Sequence, residues 1–469
     1  MKRVLAAIFF ESAFAGSASA GEQAAPSCLS SFWNYLNSSA RDCPLQFGPL
    51  TLIGNIDGGF GYEQWGAPIG PYADKPNYAI VRNSANSHWL RAPNGASTSV
   101  IGVTLNQKIF GEWSLIGVAE AGFNPYSFRL INGPQSLADN NFYAVPYQRT
   151  AFDSSRAGQW DNSQGFIGLS HPTFGTLTYG RTNTLTTSAF GAYDPVASVA
   201  FSQLGFSALY SGFGASPTAR VNTALTYRLT YRRVHLAAQT QIGGYGGGNA
   251  ATNQSQIQLG ARFGNLSLDA IAGYARNAVM LSSFSGAPLP PGYDPNAIVR
   301  ATLADTAGMA LLARYDWKPF KFYMGYVHSR TGNPTDGAPF GLSTIAEGIV
   351  VPPSAVTSNA FEVSRLLNTV WTGVRYAATK DVDLAAGAYW ESQNDYLAAP
   401  ATCTGSGTAT SSGRCAGGRY SYSFRVNYRP VDRVTLYAGV LVSNVYGGVA
   451  SGFQHSQNIA PTAGARLTF

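Results

Sequence analysis

The chain has 469 residues, a formal net charge of +7, 12% charged residues and 13% aromatics. A soluble chain of this length carries about twice that charged fraction and divides into two or three domains. It contains no Lys/Arg run, so the mild basic excess points to anions rather than nucleic acid as partners.

Residues 1–20 read as an export signal. Lys2 and Arg3 form a positive start, Ala6 to Phe10 an apolar stretch, and Ser17-Ala18-Ser19-Ala20 a small-residue cleavage site before Gly21. Glu11 intrudes on the apolar stretch. Cleavage there removes two basic residues and one acid, so the mature net charge is +6. No later stretch reaches the roughly eighteen apolar residues of a spanning helix. A membrane protein with this sequence must therefore close its backbone hydrogen bonds in a barrel.

Residues 21–47 make a separate N-terminal segment, expected on the periplasmic side. Leu29, Phe32, Trp33 and Leu36 follow i, i+3, i+4, i+7 spacing behind Ser30 or Ser31 as a cap. That spacing predicts a short amphipathic helix, which covers or enters the periplasmic mouth or simply packs on the rim. The four cysteines fall into two local pairs, Cys28/Cys43 and Cys403/Cys415. Three connectivities are possible, and local pairing is expected in an oxidising compartment. Neither pair has His neighbours or Cys-x2-Cys spacing, so no metal site is expected.

From residue 48 to 469 the chain is a series of alternating segments. Strands are predicted near 48–62, 98–108, 112–124, 163–171, 174–182, 220–232, 234–244, 253–263, 265–276, 306–317, 319–330, 368–379, 381–391, 418–429, 432–443 and 461–469. Every second connection is tight and nearly all the others are long. A soluble sandwich has no reason to sort its loops this way, whereas a sixteen-stranded antiparallel transmembrane β-barrel does. In 419–429, Tyr420, Tyr422, Phe424, Val426 and Tyr428 share one face, and Ser421, Ser423, Arg425, Asn427 and Arg429 the other. One such strand suits a sandwich as well as a barrel; the series decides for the barrel. Aromatics such as Tyr231, Phe263, Trp317 and Phe320 gather at strand ends, as in interfacial girdles. The last strand alternates Ala463, Ala465, Leu467 and Phe469 and ends on an aromatic carboxy-terminus.

Residues 166–184 read FIGLSHPTFGTLTYGRTNT, and SAFGAYDP follows at 188–195. This resembles the general, non-specific trimeric porins of Gram-negative outer membranes. Their pattern runs aromatic-x-Gly-Leu, a tight turn, Phe-Gly, then Tyr-Gly-Arg opening the third loop. The resemblance implies an inward-folded third loop and passive diffusion of small hydrophilic solutes and ions. It also implies an outer-membrane location among lipid and lipopolysaccharide, and a homotrimer. Phe469 becomes the signal for the barrel-assembly machinery, and no cofactor or nucleic-acid partner is implied. Trimer contact falls on Gly54, Gly58, Gly117, Ala119 and Ala121, with loop two as a latch.

Carried over residue by residue, Asp194 matches a third-loop acid and Arg220 a wall arginine, together the pore constriction. Asp194 before Pro195 also reads as a turn former, and Arg220 as a rim charge. The second loop acid is missing, its place falling near Ser198. Asn55, Val100 and Ser163 stand where the family has basic residues. The field across the constriction should therefore be weak. Strand parity turns Asp57, Glu120, Arg228, Arg375 and Arg425 inward as possible pore lining. Arg262, Arg314, Arg429, Arg466, Asp269, Asp316 and Asp383 share that parity, and Arg314 with Asp316 suits a rim ion pair. Arg181 suits an anchor at the root of loop three. More inward arginines than acids implies a mild anion preference. The alternatives are a substrate-specific sugar or anion channel, which needs a lumenal aromatic run beyond Trp371 and Tyr389, or an outer-membrane enzyme or adhesin. No nucleophile signature supports catalysis.

Overall fold

The computed structural model describes residues 27–64, 87–91, 94–126, 128, 163–197, 200–206, 213, 219–284, 299–336, 356–397, 413–450 and 455–469. The expected signal 1–20, the loop-two latch, Ser198 and Cys403 lie outside these. Nineteen strand segments share one sheet. Three are short: Leu45–Phe47, His88–Arg91 and Val356–Thr357. The other sixteen form the wall: β1 Leu50–Glu63, β2 Val100–Phe110, β3 Trp113–Gly122, β4 Gly165–His171, β5 Gly175–Asn183, β6 Arg220–Tyr231, β7 Val234–Gln241, β8 Asn253–Phe263, β9 Leu266–Phe284, β10 Val299–Trp317, β11 Phe320–Gly332, β12 Arg365–Ala377, β13 Val382–Gln393, β14 Gly417–Val431, β15 Val434–Gly447 and β16 Gln457–Thr468. Neighbours pair antiparallel. β16 returns to β1, from Thr462↔Gly61 to Thr468↔Asn55, and closes the barrel.

The predicted alternation sets the two faces. Tyr420, Tyr422, Phe424 and Tyr428 are 40–58% exposed, while Ser421, Ser423, Arg425 and Asn427 are at most 5% exposed. A soluble fold would reverse this; an apolar outer face is stable against lipid tails. The tight turns fall where expected. Gly111 and Gly264 take φ of 53° and 59°, a left-handed conformation that short hairpins require and that glycine adopts at little cost.

Three elements differ from the sequence expectation. β9 and β10 are 19 residues each and run well past 276 and 306. A bulge between Ala275 and Ala278, with Asn277 at φ 47°, shifts the register there and breaks the period-two pattern. The 183–219 connection contains a helix, α2, described below, whose Thr-rich sequence carries little helical signal of its own.

The N-terminal helix exists as α1, Phe32–Leu36, capped by Ser31, whose Oγ accepts from Asn34 N at 3.1 Å. Cys28 and Cys43 are disulfide-bonded with Cα atoms 6.2 Å apart. Cys415 is also disulfide-bonded. α1 packs on the rim. Arg433, in the β14–β15 turn, donates from Nε to Tyr35 O at 2.8 Å and from Nη2 to Cys43 O at 2.5 Å and Ser39 O at 3.3 Å. Its guanidinium lies 3.7 Å from the Tyr35 ring centroid. The same residue's carbonyl accepts from Thr468 N, so one arginine ties the module to the end of β16.

Phe469 extends the seam. Its N and O exchange hydrogen bonds with Gly54 at 2.9 and 3.0 Å. A Cβ on Gly54 would lie 2.5 Å from the Phe469 ring, so only glycine lets the ring lie flat there. Tyr126 lies over Gly58, where a Cβ would meet its ring at ordinary contact distance, and donates to Gly59 O at 2.5 Å. Gly54 and Gly58 are thus covered by rings, not bare as the sequence suggested.

Candidate functional site

β5 ends at Asn183, and Thr184 caps the next helix by accepting from Thr187 N at 3.0 Å. α2 then spans Leu185–Tyr193 and stops at Asp194, because Pro195 disfavours helical backbone before it. Leu185, Phe190, Tyr193, Val196, Phe201 and Leu204 are buried against inward side chains of the wall, among them Ile271, Leu312, Val327, Trp371 and Tyr389. These wall residues are apolar although they face the bore, and segment 184–206 is what covers them. Phe190 meets Trp371 edge-on at 5.6 Å. Gly373 leaves room for Pro195, whose Cγ would sit 2.4 Å from a Cβ at that position.

Polar wall side chains fix the backbone of the same segment. Trp371 Nε1 donates to Tyr193 O at 3.0 Å, Arg314 Nη1 to Ala192 O at 3.3 Å and Arg425 Nη1 to Val196 O at 3.0 Å. Ser423 Oγ donates to Phe201 O. Tyr193 OH donates to Asp269 Oδ2 at 2.5 Å, and Asp269 Oδ1 also meets His235 Nε2 at 2.7 Å and Gln258 Nε2 at 2.8 Å. Parity turned Asp269 inward but gave no sign of this contact, since its partners come from α2, β7 and β8.

Asp194 is 1% exposed. Its Oδ1 accepts from Tyr389 OH at 2.5 Å and Val196 N at 3.3 Å. Burial pushes its carboxyl up to about 6, against hydrogen bonds from Ser202 and Tyr389 and the charge of Arg375, which lower it. Arg220 opens β6 opposite Asn183 and is half-buried. It stands at the root of the segment, whereas the Asp194 partner Tyr389 is on β13, in another sector of the wall. The two residues thus stand against different strands, β13 and β6. Arg181, beside Arg220, donates from Nε to Ser163 O at 3.0 Å and from Nη1 to Asn222 Oδ1.

The other expected lining residues divide. Asp57 is fully buried and accepts from Tyr437 OH at 2.5 Å and from the N–H groups of Ala96 and Ser97 at 2.8 Å, which fixes the turn before β2. Glu120 accepts from Ser163 Oγ and Gln164 N. Arg425 is 3% exposed, with its guanidinium 5.5 and 5.4 Å from the Phe201 and Tyr437 ring centroids. Arg375 is half-buried, opposite Lys321 and Ala385 in register. Arg228 is half-buried opposite Thr176 on β5 and Ala237 on β7. Arg314 Nε lies 3.4 Å from Asp316 Oδ1, the pair expected near the rim. Such an arrangement can hold a narrowing element in place and set a field along the remaining bore.

A model of the Gram-negative porin family matches residues 4–464. No curated protein matches the chain. Among solved structures, an anion-selective porin from Comamonas acidovorans is 12% identical over 90% of this chain and 99% of its own, with a TM-score of 0.56. The trimer form of OmpT, an outer-membrane protein of Vibrio cholerae, is 12% identical over 90% and 99%, with a TM-score of 0.54. OmpF of Salmonella typhi in complex with daunomycin is 11% identical over 90% and 97%, with a TM-score of 0.51. At these identities the likeness is one of fold. The family match runs over nearly the whole chain and agrees with the closed, lipid-facing barrel, so the chain belongs to the Gram-negative porins and is a channel of the bacterial outer membrane.

Proposed function

We propose that this porin is a homotrimeric, water-filled diffusion channel for small hydrophilic solutes and ions, with a mild anion preference and no catalytic activity. The observation that carries this is the covering of the apolar inner wall by segment 184–206, which acts as the inward third loop. Its apolar contacts run from Ala237 on β7 to Tyr437 on β15. Thr104, Lys108, Thr176, Thr178 and Arg228 share the inward parity of β2, β5 and β6 and add polar, net-positive side chains to the inner wall. Trp371 and Tyr389, the aromatics that a sugar-specific ladder needs, are 1% and 3% exposed beneath the segment, which favours general diffusion over a dedicated binding path. Arg220 sets the field at the loop root. Asp194 acts on that field from beneath the loop, while Asp57, Glu120, Arg375 and Arg425 shape the wall and hold the loop. Phe469, seated at the seam, serves as the signal for the barrel-assembly machinery. Trimer contact uses the β16–β1–β3 surface.

Planar-bilayer recording in a KCl gradient tests the channel directly. A zero-current potential of anion-selective sign is expected, together with size-dependent entry of uncharged sugars in liposome swelling. Entry of one sugar alone, with saturation, would replace this by a substrate-specific channel.

A further inference from the structure

Beneath segment 184–206 the inner wall is basic. Lys321 on β11, Arg375 on β12, Arg425 and Arg429 on β14 and Arg466 on β16 all have inward parity near the tight-turn rim. They form one group. Lys321 stands directly opposite Arg375, and Arg466 feels the charges of Arg375, Arg425 and Arg429. Asn55, Val100 and Ser163, which stand where the family has basic residues, belong to β1, β2 and the approach to β4. The cluster therefore lies on other strands than the basic wall of the family.

The nearby carboxylates have partners of their own. Asp57 takes Tyr437 OH and the N–H groups of Ala96 and Ser97, both oxygens of Asp383 accept from Asn427 Nδ2 at 2.9 and 3.0 Å, and Asp316 faces Arg314. Among the described residues none of the five cations makes an ion pair, and Lys321, Arg429 and Arg466 donate no hydrogen bond. The Nε atoms of Arg375, Arg425 and Arg466 are buried without a hydrogen-bond partner. Arg425 is committed to Val196 O, whereas Arg375, Arg429 and Arg466 are half-buried, so part of each side chain stays open to the bore. Like charges directly opposite on adjacent strands destabilise a sheet, and a bound anion relieves that repulsion. A tetrahedral oxyanion suits the arrangement, because each guanidinium offers a planar fork that matches two oxygens and several forks can share one anion.

We propose that Arg375, Arg429 and Arg466, with Lys321 at their edge, form a binding site for inorganic phosphate and related tetrahedral oxyanions in the periplasmic vestibule, beneath the inward segment. The site deepens the diffusion-channel reading and rests on it, since the bore is the path by which the anion arrives. An oxyanion that has passed the segment pauses here before release.

Two measurements on the full mature trimer test this. Single-channel current in KCl, followed while inorganic phosphate is added on the periplasmic side, should fall along a saturating curve. Phosphorus NMR of the detergent-solubilised trimer needs no conduction, and the phosphate line should broaden with the same saturation. Replacing Arg375→Gln together with Arg466→Gln should raise the half-saturating concentration about tenfold in both, as expected when a hydrogen bond from a charged donor is lost. R375K/R466K keeps the charge but not the fork and should fall between, with heat-modifiable mobility checking the fold of each variant. Arg233→Gln removes a like charge from the exposed β6–β7 turn and should leave half-saturation unchanged. A current that falls in proportion to phosphate without saturating, or equal half-saturation in wild type and R375Q/R466Q, overturns the site. A trimer that broadens the phosphate line yet conducts no ions overturns the diffusion reading and leaves the site standing.

Discussion

Segment 184–206 and the module 27–47 are both attached to the barrel by wall side chains that grip backbone carbonyls. They differ in where their apolar side chains go. The inner segment buries Leu185, Phe190 and Phe201 on the wall, each worth about 1.5–3 kcal/mol. The outer module leaves Phe32 and Trp33 exposed and relies on one arginine and one disulfide. Packing holds the first, and polar contacts with a covalent bridge hold the second. The two regions should therefore fail under different substitutions.

The largest effect is expected from Trp371→Ala. Truncating a packed tryptophan costs about 3–5 kcal/mol, and this one also loses its bond to Tyr193 O. The inner segment should loosen, with larger and noisier single-channel conductance in a trimer that still assembles. Conductance and noise like those of the wild type would mean that the polar contacts suffice.

Arg433→Ala should do the opposite. Hydrogen bonds from a charged donor contribute about 1.5–3 kcal/mol each, so losing them should free residues 27–47 to limited proteolysis. Conductance should not change. A conductance shift would mean that the module reaches the bore.

Replacing Cys28 and Cys43 with Ser should cost the module about 2–4 kcal/mol by relaxing its unfolded state. Proteolysis should rise less than in R433A, and barrel melting should stay as it is. A lowered barrel melting temperature would show that the module is part of the barrel's cooperative unit.

The smallest effects concern charge. Arg220→Ser should move the zero-current potential by a few millivolts toward cations, and Asp194→Asn toward anions; salt limits both, screening charge over about 8–10 Å. The Asp194 carboxyl, raised to about 6, is ionised at pH 7.5 and protonated at pH 5. Lowering the pH removes a negative charge, so the wild type should drift toward anions through pH 6, and D194N should drift less. Equal drift in both would assign it to other groups.

Much of the barrel was legible because a period-two pattern states which face is apolar, and loop sorting states which end is which. Parity placed Ser423, Arg425 and Asp269 inward without any structure. It failed at Asn277, where one bulged residue flips the phase and hides the upper halves of β9 and β10. It also could not show that Asp194 is enclosed, because Tyr389 lies 195 residues away in the chain.

The sequence by itself determined the strand series, the two faces, the local Cys28–Cys43 pair and the aromatic end at Phe469, since each depends on neighbours along the chain or on a repeated spacing. Tertiary structure alone decided that inward Trp371 and Leu312 are covered by α2, that Arg425 and Arg314 support the segment from beneath, that Arg220 and Asp194 stand in different sectors, and that Arg433 carries the N-terminal module. Those contacts join residues far apart in the chain, and a side chain's parity fixes its direction but not what it meets there.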